Sequence, residues 1–466
     1  MARLFTEDEV RRMIAEAIAP LKARIADLEA EISRLRKNST TSSKPPSSDI
    51  VKPPRPKSAG GKRGKRRGGG QQGHRRHTRP PFPPEQVDET WLYEWTAVPP
   101  GWKALEQFSI LQQVELVEKP YTVSEHRARL YENLRTGQML AASLPGDVRR
   151  AGLLGPRLTA LVGYQKGACH MSVETIRRFL RDVFHLPISH GQVMKTVRKV
   201  SAALGPCHEE LQKALPQQTA MGIDETGHHE RGHGLWSWCF HVPGQEHFTW
   251  FHIDPSRGSK VLKRYLGKAF EGIIGCDYFS AYRKYMGDFN VAVQFCLAHL
   301  IRDVKFLTTL ADAATAAYGQ KLLDGLREMF HVIHRREQLD AAEFAQALQK
   351  TRDELLAAGQ QAPPTREAQN LAERFHRHGA AYFCFITTPG IEPTNNLAEQ
   401  AIRFVVLDRL VTQGTRSVRG RRWCERIWTA VATCAQQGRS VVEYLRDTLD
   451  AHRRGQATPS LLPAGL

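Results

Sequence analysis

Three acidic residues, Asp224, Asp277 and Glu399, stand far apart along a chain of 466 residues, each where a carboxylate has no evident packing role. Asp224 follows the apolar run TAMGI and Asp277 follows GIIGC, so each is expected to end a short strand and point beyond the sheet. Glu399 lies in the stretch IEPTNNLAEQAIRF. Pro393 cannot sit inside a helix, Asn395 and Asn396 suit a cap, and Leu397, Ile402, Val405 and Val406 then mark one face of an amphipathic helix. Glu399 and Arg403 are four apart and share a face, for which the plain reading is a surface ion pair. Three carboxylates meeting without partners raise one another's pKa, and a divalent cation relieves the repulsion. Magnesium takes oxygen ligands and keeps sites for water and phosphate oxygens. A pair of such ions about 3.5–4 Å apart activates a water or a 3′ hydroxyl and stabilises the leaving oxygen. The chemistry expected of Asp224, Asp277 and Glu399 is therefore phosphodiester cleavage and transfer, with the same three residues as metal ligands.

Other groups compete for that role. Glu225 neighbours Asp224, but alternation puts it on the opposite face, and Asp254 ends a further strand. Asp288 and Asp303 read as solvated or helix-surface acids. His228, His229, His233, His241, His247 and His252 crowd the same strands, yet they lack HExxH spacing and alternate over both faces, which disfavours a zinc hydrolase. Cys296-x-x-His299 is two ligands short of a metal site and reads as packing at a helix N-terminus. The sequence has no Gly-rich phosphate loop, so ATP use is not expected.

The elements that must position the carboxylates follow from pattern. TAMGIDET, GLWSWCFHV and HFTWFHI are strands at meander spacing, SRGSKVLKRYL is a helix, GIIGC is a strand, and VAVQFCLAHLIRDV runs from strand into helix. This order is that of a ribonuclease-H-like mixed sheet, assigned to residues 213–415 with an all-α insertion at about 300–385. Upstream, in 151–212, Ser172 and Ser189 cap two helices joined by the turn His-Leu-Pro-Ile, a pattern that suits a helix-turn-helix, with a plain helical hairpin as the alternative. The second helix offers His190, Gln192, Lys195, Arg198 and Lys199 to DNA. Residues 85–150 read as a small extended unit, with WLYEW and Phe108–Val117 as strands. Residues 416–466 form a basic helical end containing Arg416, Arg419, Arg421, Arg422 and Arg426. The fold class is thus α+β and multidomain.

Residues 1–37 open with a capping box at Thr6–Glu9. Ile14, Ile18, Leu21, Ile25, Leu28, Ile32 and Leu35 alternate spacings of four and three, a heptad seam that Pro20 interrupts. The secure helix therefore starts near Pro20, as a coiled-coil contact between copies or as an ordinary packed helix. Residues 38–84 are low-complexity, and between Ile50 and Pro84 there are eleven Lys or Arg and no acid. Within that run, Lys62, Arg63, Lys65, Arg66 and Arg67 suit an arm laid along phosphates, while a solvated linker is the bland alternative.

The net charge of +18 points to a polyanionic partner, double-stranded DNA ahead of an anionic membrane surface. No run of eighteen apolar residues occurs, and the N-terminus is too charged for a signal peptide. Eight cysteines scattered singly, without CxxC, argue against a disulfide framework and for a reducing cytoplasm.

Five motifs in order, KNSTTSSKPPSSD, MGIDETG, GCDYFSAY, CLAHLIRD and IEPTNNLAEQAIRF, resemble the insertion sequence 66 family of bacterial transposases over nearly the whole chain. The resemblance implies that Asp224, Asp277 and Glu399 are a DDE triad on a ribonuclease-H-like core, with magnesium or manganese as cofactor. It implies binding to terminal inverted repeats and target DNA by a homo-oligomer, with accessory element-encoded proteins as further partners. Two departures stand out. Members commonly carry a cysteine zinc unit before the helix-turn-helix, and residues 74–150 contain no cysteine, so structural zinc is not expected. The arginine that commonly follows the last glutamate is Gln400, which bears on a DNA contact, as does Arg403 nearby. Two other readings remain at this point: a non-catalytic DNA-binding descendant of a transposase, and a structure-selective nuclease of the same fold.

Overall fold

The computed structural model describes residues 6–35 and 80–462, apart from 95, 98, 99, 103, 104, 107, 118, 245 and 246. Lys62, Arg63, Lys65, Arg66 and Arg67 lie outside the described residues. The chain divides into two units, residues 54–125 and the remainder.

In the first unit, the described residues carry no regular strand, contrary to the expectation for WLYEW and Phe108–Val117. Trp91, Tyr93, Phe108 and Ile110 are exposed. Strand composition becomes a strand only against a ladder partner, and the described residues supply none here. The Gln112 side chain stands in for one, accepting from Phe82 N–H (2.7 Å) and donating to Phe82 C=O (2.9 Å).

The second unit begins with α1 (Glu7–Leu35). Its capping box forms as expected: Thr6 N–H donates to Glu9 Oε2 (2.9 Å) and Glu9 N–H to Thr6 Oγ1 (3.3 Å). The helix runs through Pro20 instead of starting there. Proline removes one donor, and the Ala-, Glu- and Leu-rich flanks, all strong helix formers, carry the helix across that gap. Along the heptad seam, residues Ile14 to Ile32 are 39–64% exposed.

Strands β1 (Leu130–Glu132) and β2 (Met139–Ala141) make a two-stranded antiparallel sheet. Helices α2 (Gly146–Ala151), α3 (Pro156–Gly167), α4 (Val173–Phe184), α5 (His190–Ala203) and α6 (Gly205–Ala214) follow. Both expected caps form: Ser172 Oγ accepts from Thr175 N–H (3.0 Å) and Ser189 Oγ from Gln192 N–H (3.1 Å). His185 ends α4 in a left-handed conformation (φ 50°), which turns the chain into α5.

The central sheet contains β3 (Ala220–Glu230), β4 (His233–Val242), β5 (Phe248–Asp254), β6 (Ile273–Cys276) and β7 (Ala292–Phe295), in the order β5-β4-β3-β6-β7. Strands β3, β4 and β5 are an antiparallel meander, and β6 and β7 add on in parallel. Helix α7 (Lys260–Leu266) connects β5 to β6, and α8 (Ser280–Phe289) connects β6 to β7. The helical run expected after β7 appears as α9 (Leu297–Leu307), α10 (Ala313–His334), α11 (Ala341–Gln360), α12 (Arg366–His378) and α13 (Cys384–Thr387). Three helices complete the chain: α14 (Asn396–Thr412), α15 (Val418–Gln436) and α16 (Val441–Arg454). No helix among the described residues is long and apolar enough to cross a membrane.

Helix α15 packs along β5 at the edge of the sheet. Glu425, Thr429 and Thr433, spaced by four, accept from the alternate amides of Ile253, Phe251 and Thr249 on the outer edge of β5 (2.9, 3.0 and 3.1 Å). Four helical residues rise about 6 Å and two strand residues about 6.7 Å, so the two periods match over three contacts. A strand edge that would otherwise invite pairing is closed by side chains. At the opposite edge, the Gln294 side chain of β7 donates to Tyr382 C=O (2.9 Å) and accepts from Phe385 N–H (3.0 Å). Between the edges, Trp238, Phe240, Trp250, Tyr282 and Tyr285 are fully buried.

Candidate active site

Asp224 is not at a strand end. β4 pairs with β3 from Gly222 to Glu230, so β3 continues well past Asp224. What stops is the parallel pairing with β6, whose last partner on β3 is Gly222. Beyond that point no sheet strand pairs with that side of β3, whose carbonyls accept instead from Asn395 at Ile223, from Arg409 at Gly227 and from the Thr415 N–H at His229. Asp224 lies at the start of this stretch. Asp277 does follow its strand directly, as expected, and its Oδ1 accepts from Phe279 N–H (2.9 Å), fixing the turn into α8.

Glu399 sits in the first turn of α14, which packs across β3 and β4. Asn395 occupies the N-cap position but does not cap the helix. Its side chain instead donates to Ile223 C=O (2.8 Å), beside Asp224, and its N–H donates to Cys296 Sγ (3.2 Å). Leu297 N–H donates to Pro393 C=O (3.0 Å). The stretch before α14 is thus tied to both β3 and the start of α9, because a buried amide forms hydrogen bonds wherever partners exist. Gly222 permits the approach: a Cβ there would lie 2.5 Å from Asn395 Oδ1.

The electrostatics link the three carboxylates. Burial pushes the Asp224 carboxyl well above its ordinary range, and the charges of Glu225, Asp277 and Glu399 push it further. Burial also raises Asp277, against the opposing pull of His299, the Phe279 N–H, Arg257 and Arg374. Glu225 faces the other side of β3, as alternation requires. There it accepts from Tyr282 Oη (2.5 Å) and pairs with Arg257 (2.9 Å). Burial and the charge of Asp277 push it up to about 7. Glu399 Oε1 lies 3.4 Å from His299 Nδ1 and Oε2 lies 3.5 Å from Arg302 Nη2. The expected Glu399–Arg403 pairing is replaced by these two α9 residues, and Arg403 is exposed.

The rival acids are otherwise engaged. Asp254 pairs with Arg264 (2.6 Å) and accepts from Ser256 N–H (2.7 Å). Asp288 is an exposed partner of Lys284. Asp303 is not solvated: it forms a half-buried pair with Arg374 (2.7 Å), which lies over the Tyr278 ring next to Asp277. The strand histidines disperse, His228 to Thr415, His241 to Thr249, His247 to Gly244 C=O, and His252 to Glu425 and Tyr265.

Among the described residues, one set of three metal-ligating side chains brings its ligand atoms within 4.8 Å of one another, and it is not the three carboxylates. Asp224, Asp277 and Glu399 supply oxygens only, which fits a hard ion of the magnesium or manganese class. The close set is Cys296, His299 and Glu399. Burial pushes the Cys296 thiol up to about 11, and its sulfur already accepts from Asn395. A metal needs the thiolate, so this set fits a softer ion poorly.

On α5, Lys195 and Arg198 are exposed and Gln192 is half-buried. Lys199 is half-buried and donates to Arg150 C=O (2.9 Å). Of the C-terminal arginines, Arg421 lies 3.8 Å from Glu230 and Arg426 donates to Ser201 C=O, while Arg416, Arg419 and Arg422 are exposed. Sequence reasoning overlooked His299, Arg302 and Arg257 as neighbours of the carboxylates. The spacing of His299, Arg302 and Asp303 on one face of α9 is the signal that could have found the first two.

The family described as Transposase IS66 family matches residues 151–422. A second, described as a family of unknown function (DUF6444), matches residues 2–80. No curated protein matches the chain.

Proposed function

The chain belongs to the IS66 family of transposases, and we propose that it is a DNA transposase whose catalytic centre is Asp224, Asp277 and Glu399. The observation that carries this reading is the Asp224 carboxyl, raised by burial and by the charges of Glu225, Asp277 and Glu399. The order of the mixed sheet, with a helical run between β7 and α14, supports a ribonuclease-H-like core.

Bound by these carboxylates, magnesium or manganese would supply an activated water or 3′ hydroxyl and neutralise charge on the scissile phosphate. The chain's own contribution is placement. The Phe279 N–H fixes Asp277, Asn395 fixes the helix of Glu399 against the strand of Asp224, and Arg257 holds Glu225 away from the shared point. The same centre serves cleavage at the element's ends and joining to target DNA, since both are phosphoryl transfers.

Helices α4 and α5 act as a helix-turn-helix, with Gln192, Lys195 and Arg198 toward the DNA of the terminal inverted repeats. Lys199 contributes to the packing of this unit through Arg150. Arg403, together with Arg416, Arg419 and Arg422, meets phosphates, and Lys62, Arg63, Lys65, Arg66 and Arg67 extend that contact as an arm. The exposed seam of α1 pairs two protomers, one for each end of the element.

The test is strand transfer of labelled element-end DNA in magnesium. Asp277→Asn is expected to abolish both cleavage and joining while DNA binding persists. Wild-type rates in that variant would refute the assignment.

A further inference from the structure

His299 and Arg302 are not part of the carboxylate set, yet they are the polar groups nearest Glu399. Arg302 Nη1 lies 3.2 Å from His299 Nε2. Arginine only donates, so Nε2 must be the acceptor, and the network assigns the ring proton to Nδ1. That Nδ1–H faces Glu399 Oε1 at 3.4 Å, and both atoms are buried without a hydrogen-bond partner. Among the described residues, two unsatisfied atoms, one donor and one acceptor, therefore confront each other beside the candidate centre. A shift of about 0.5 Å brings them within hydrogen-bond distance. The second guanidinium nitrogen, Nη2, approaches Oε2 of the same carboxylate at 3.5 Å.

Resting on the reading of Glu399 as a metal ligand, we propose that His299, with its tautomer fixed by Arg302, is a positioning residue that presents Glu399 to the divalent cation. The imidazole holds Oε1 by Nδ1–H while Arg302 Nη2 approaches Oε2, so the two side chains together fix the orientation of the carboxylate. It does not act as a base, because its basic nitrogen is occupied by the Arg302 donor. Outer partners of this kind orient a ligand and raise metal affinity, and their loss typically weakens binding about 10- to 100-fold.

Asparagine places an amide nitrogen where imidazole carries Nδ1, and glutamine places one where it carries Nε2. Mn2+ binding to the full chain, followed by electron paramagnetic resonance, separates the roles. His299→Ala and His299→Gln are expected to weaken Mn2+ binding about 10-fold or more, while His299→Asn stays within about twofold of wild type. Strand-transfer rates at saturating Mn2+ should follow the same order. Equal binding by wild type and His299→Ala, or binding by His299→Asn as weak as that of His299→Ala, overturns the proposal. If the alanine variant does not fold, the Asn and Gln pair decides alone, and equal weakening in both overturns it. Asp277→Asn is the control. If it binds Mn2+ like wild type, the carboxylate centre itself is wrong, an outcome distinct from failure of the histidine's role.

Discussion

Two groups of buried or half-buried acids on the same sheet behave in opposite ways. At the β5 edge, Glu425 is met by the Ile253 N–H and His252, and these hold its carboxyl below the ordinary range despite burial. Where β3 and β6 part, burial holds Asp224, Asp277 and Glu225 above it, and neighbouring negative charge adds to the rise of Asp224 and Glu225. Burial is common to both groups, and Glu225 stays raised although it accepts from Tyr282 and Arg257. What separates Glu425 from Asp224 and Glu225 is therefore the neighbouring charge, an imidazole in the one case and other carboxylates in the other. An acid whose neighbours favour its charge is part of the scaffold, and its ionised form stabilises the fold. Acids crowded together destabilise the ionised fold, and they persist where a cation relieves them.

The largest effect that could break this contrast is on activity. Asp224→Asn, Asp277→Asn and Glu399→Gln should each lower strand transfer by about a thousandfold or more, above 4 kcal/mol of barrier. Glu425→Gln should leave turnover per folded molecule near wild type. Equal losses at Glu425 would erase the distinction.

The next effect is on stability. Glu425→Ala removes the acceptor of a buried amide and the partner of His252, and should cost about 2–4 kcal/mol in chemical denaturation. Asp224→Asn, measured without divalent cations, should stabilise the protein by on the order of 1 kcal/mol at pH 8.

The pH dependence sharpens the same point. Glu225 has a folded pKa of about 7 against an ordinary 4.5. A raised folded pKa means that its contribution is fully present below pH 4.5 and is lost as pH rises through 7. Asp224 and Asp277 shift in the same direction. Metal-free protein should therefore lose melting temperature from pH 5 to pH 8, and Glu225→Gln should flatten that slope. A slope that steepens in the variant would contradict it.

The smallest effects concern the edge lock. Thr429→Val and Thr433→Val each leave a β5 amide without its acceptor and should cost about 1–2 kcal/mol, with activity retained.

Much of this contrast was legible in the sequence, but unevenly. Asp224 and Asp277 could be found because an acid beside an apolar run breaks the strand pattern, and Glu399 because a proline and two asparagines announce its helix. The serine caps of α4 and α5 were equally local. The extent of β3 was not, since it depends on how far β4 pairs along it. Asn395 looked like a cap because propensity describes isolated helices, whereas the nearby Ile223 carbonyl is a tertiary partner. The lock by Glu425, Thr429 and Thr433 escaped notice for the same reason: a spacing of four on a helix acquires meaning only beside a strand edge. Trp91, Tyr93 and Phe108 show the converse, strand-like residues without a ladder.

The most direct test of the central claim is a crystal of the protein soaked in Mn2+ and measured at the manganese edge. The account predicts anomalous density between Asp224, Asp277 and Glu399. A saturating soak that places manganese elsewhere, or leaves that point empty while all three side chains are ordered, would contradict it.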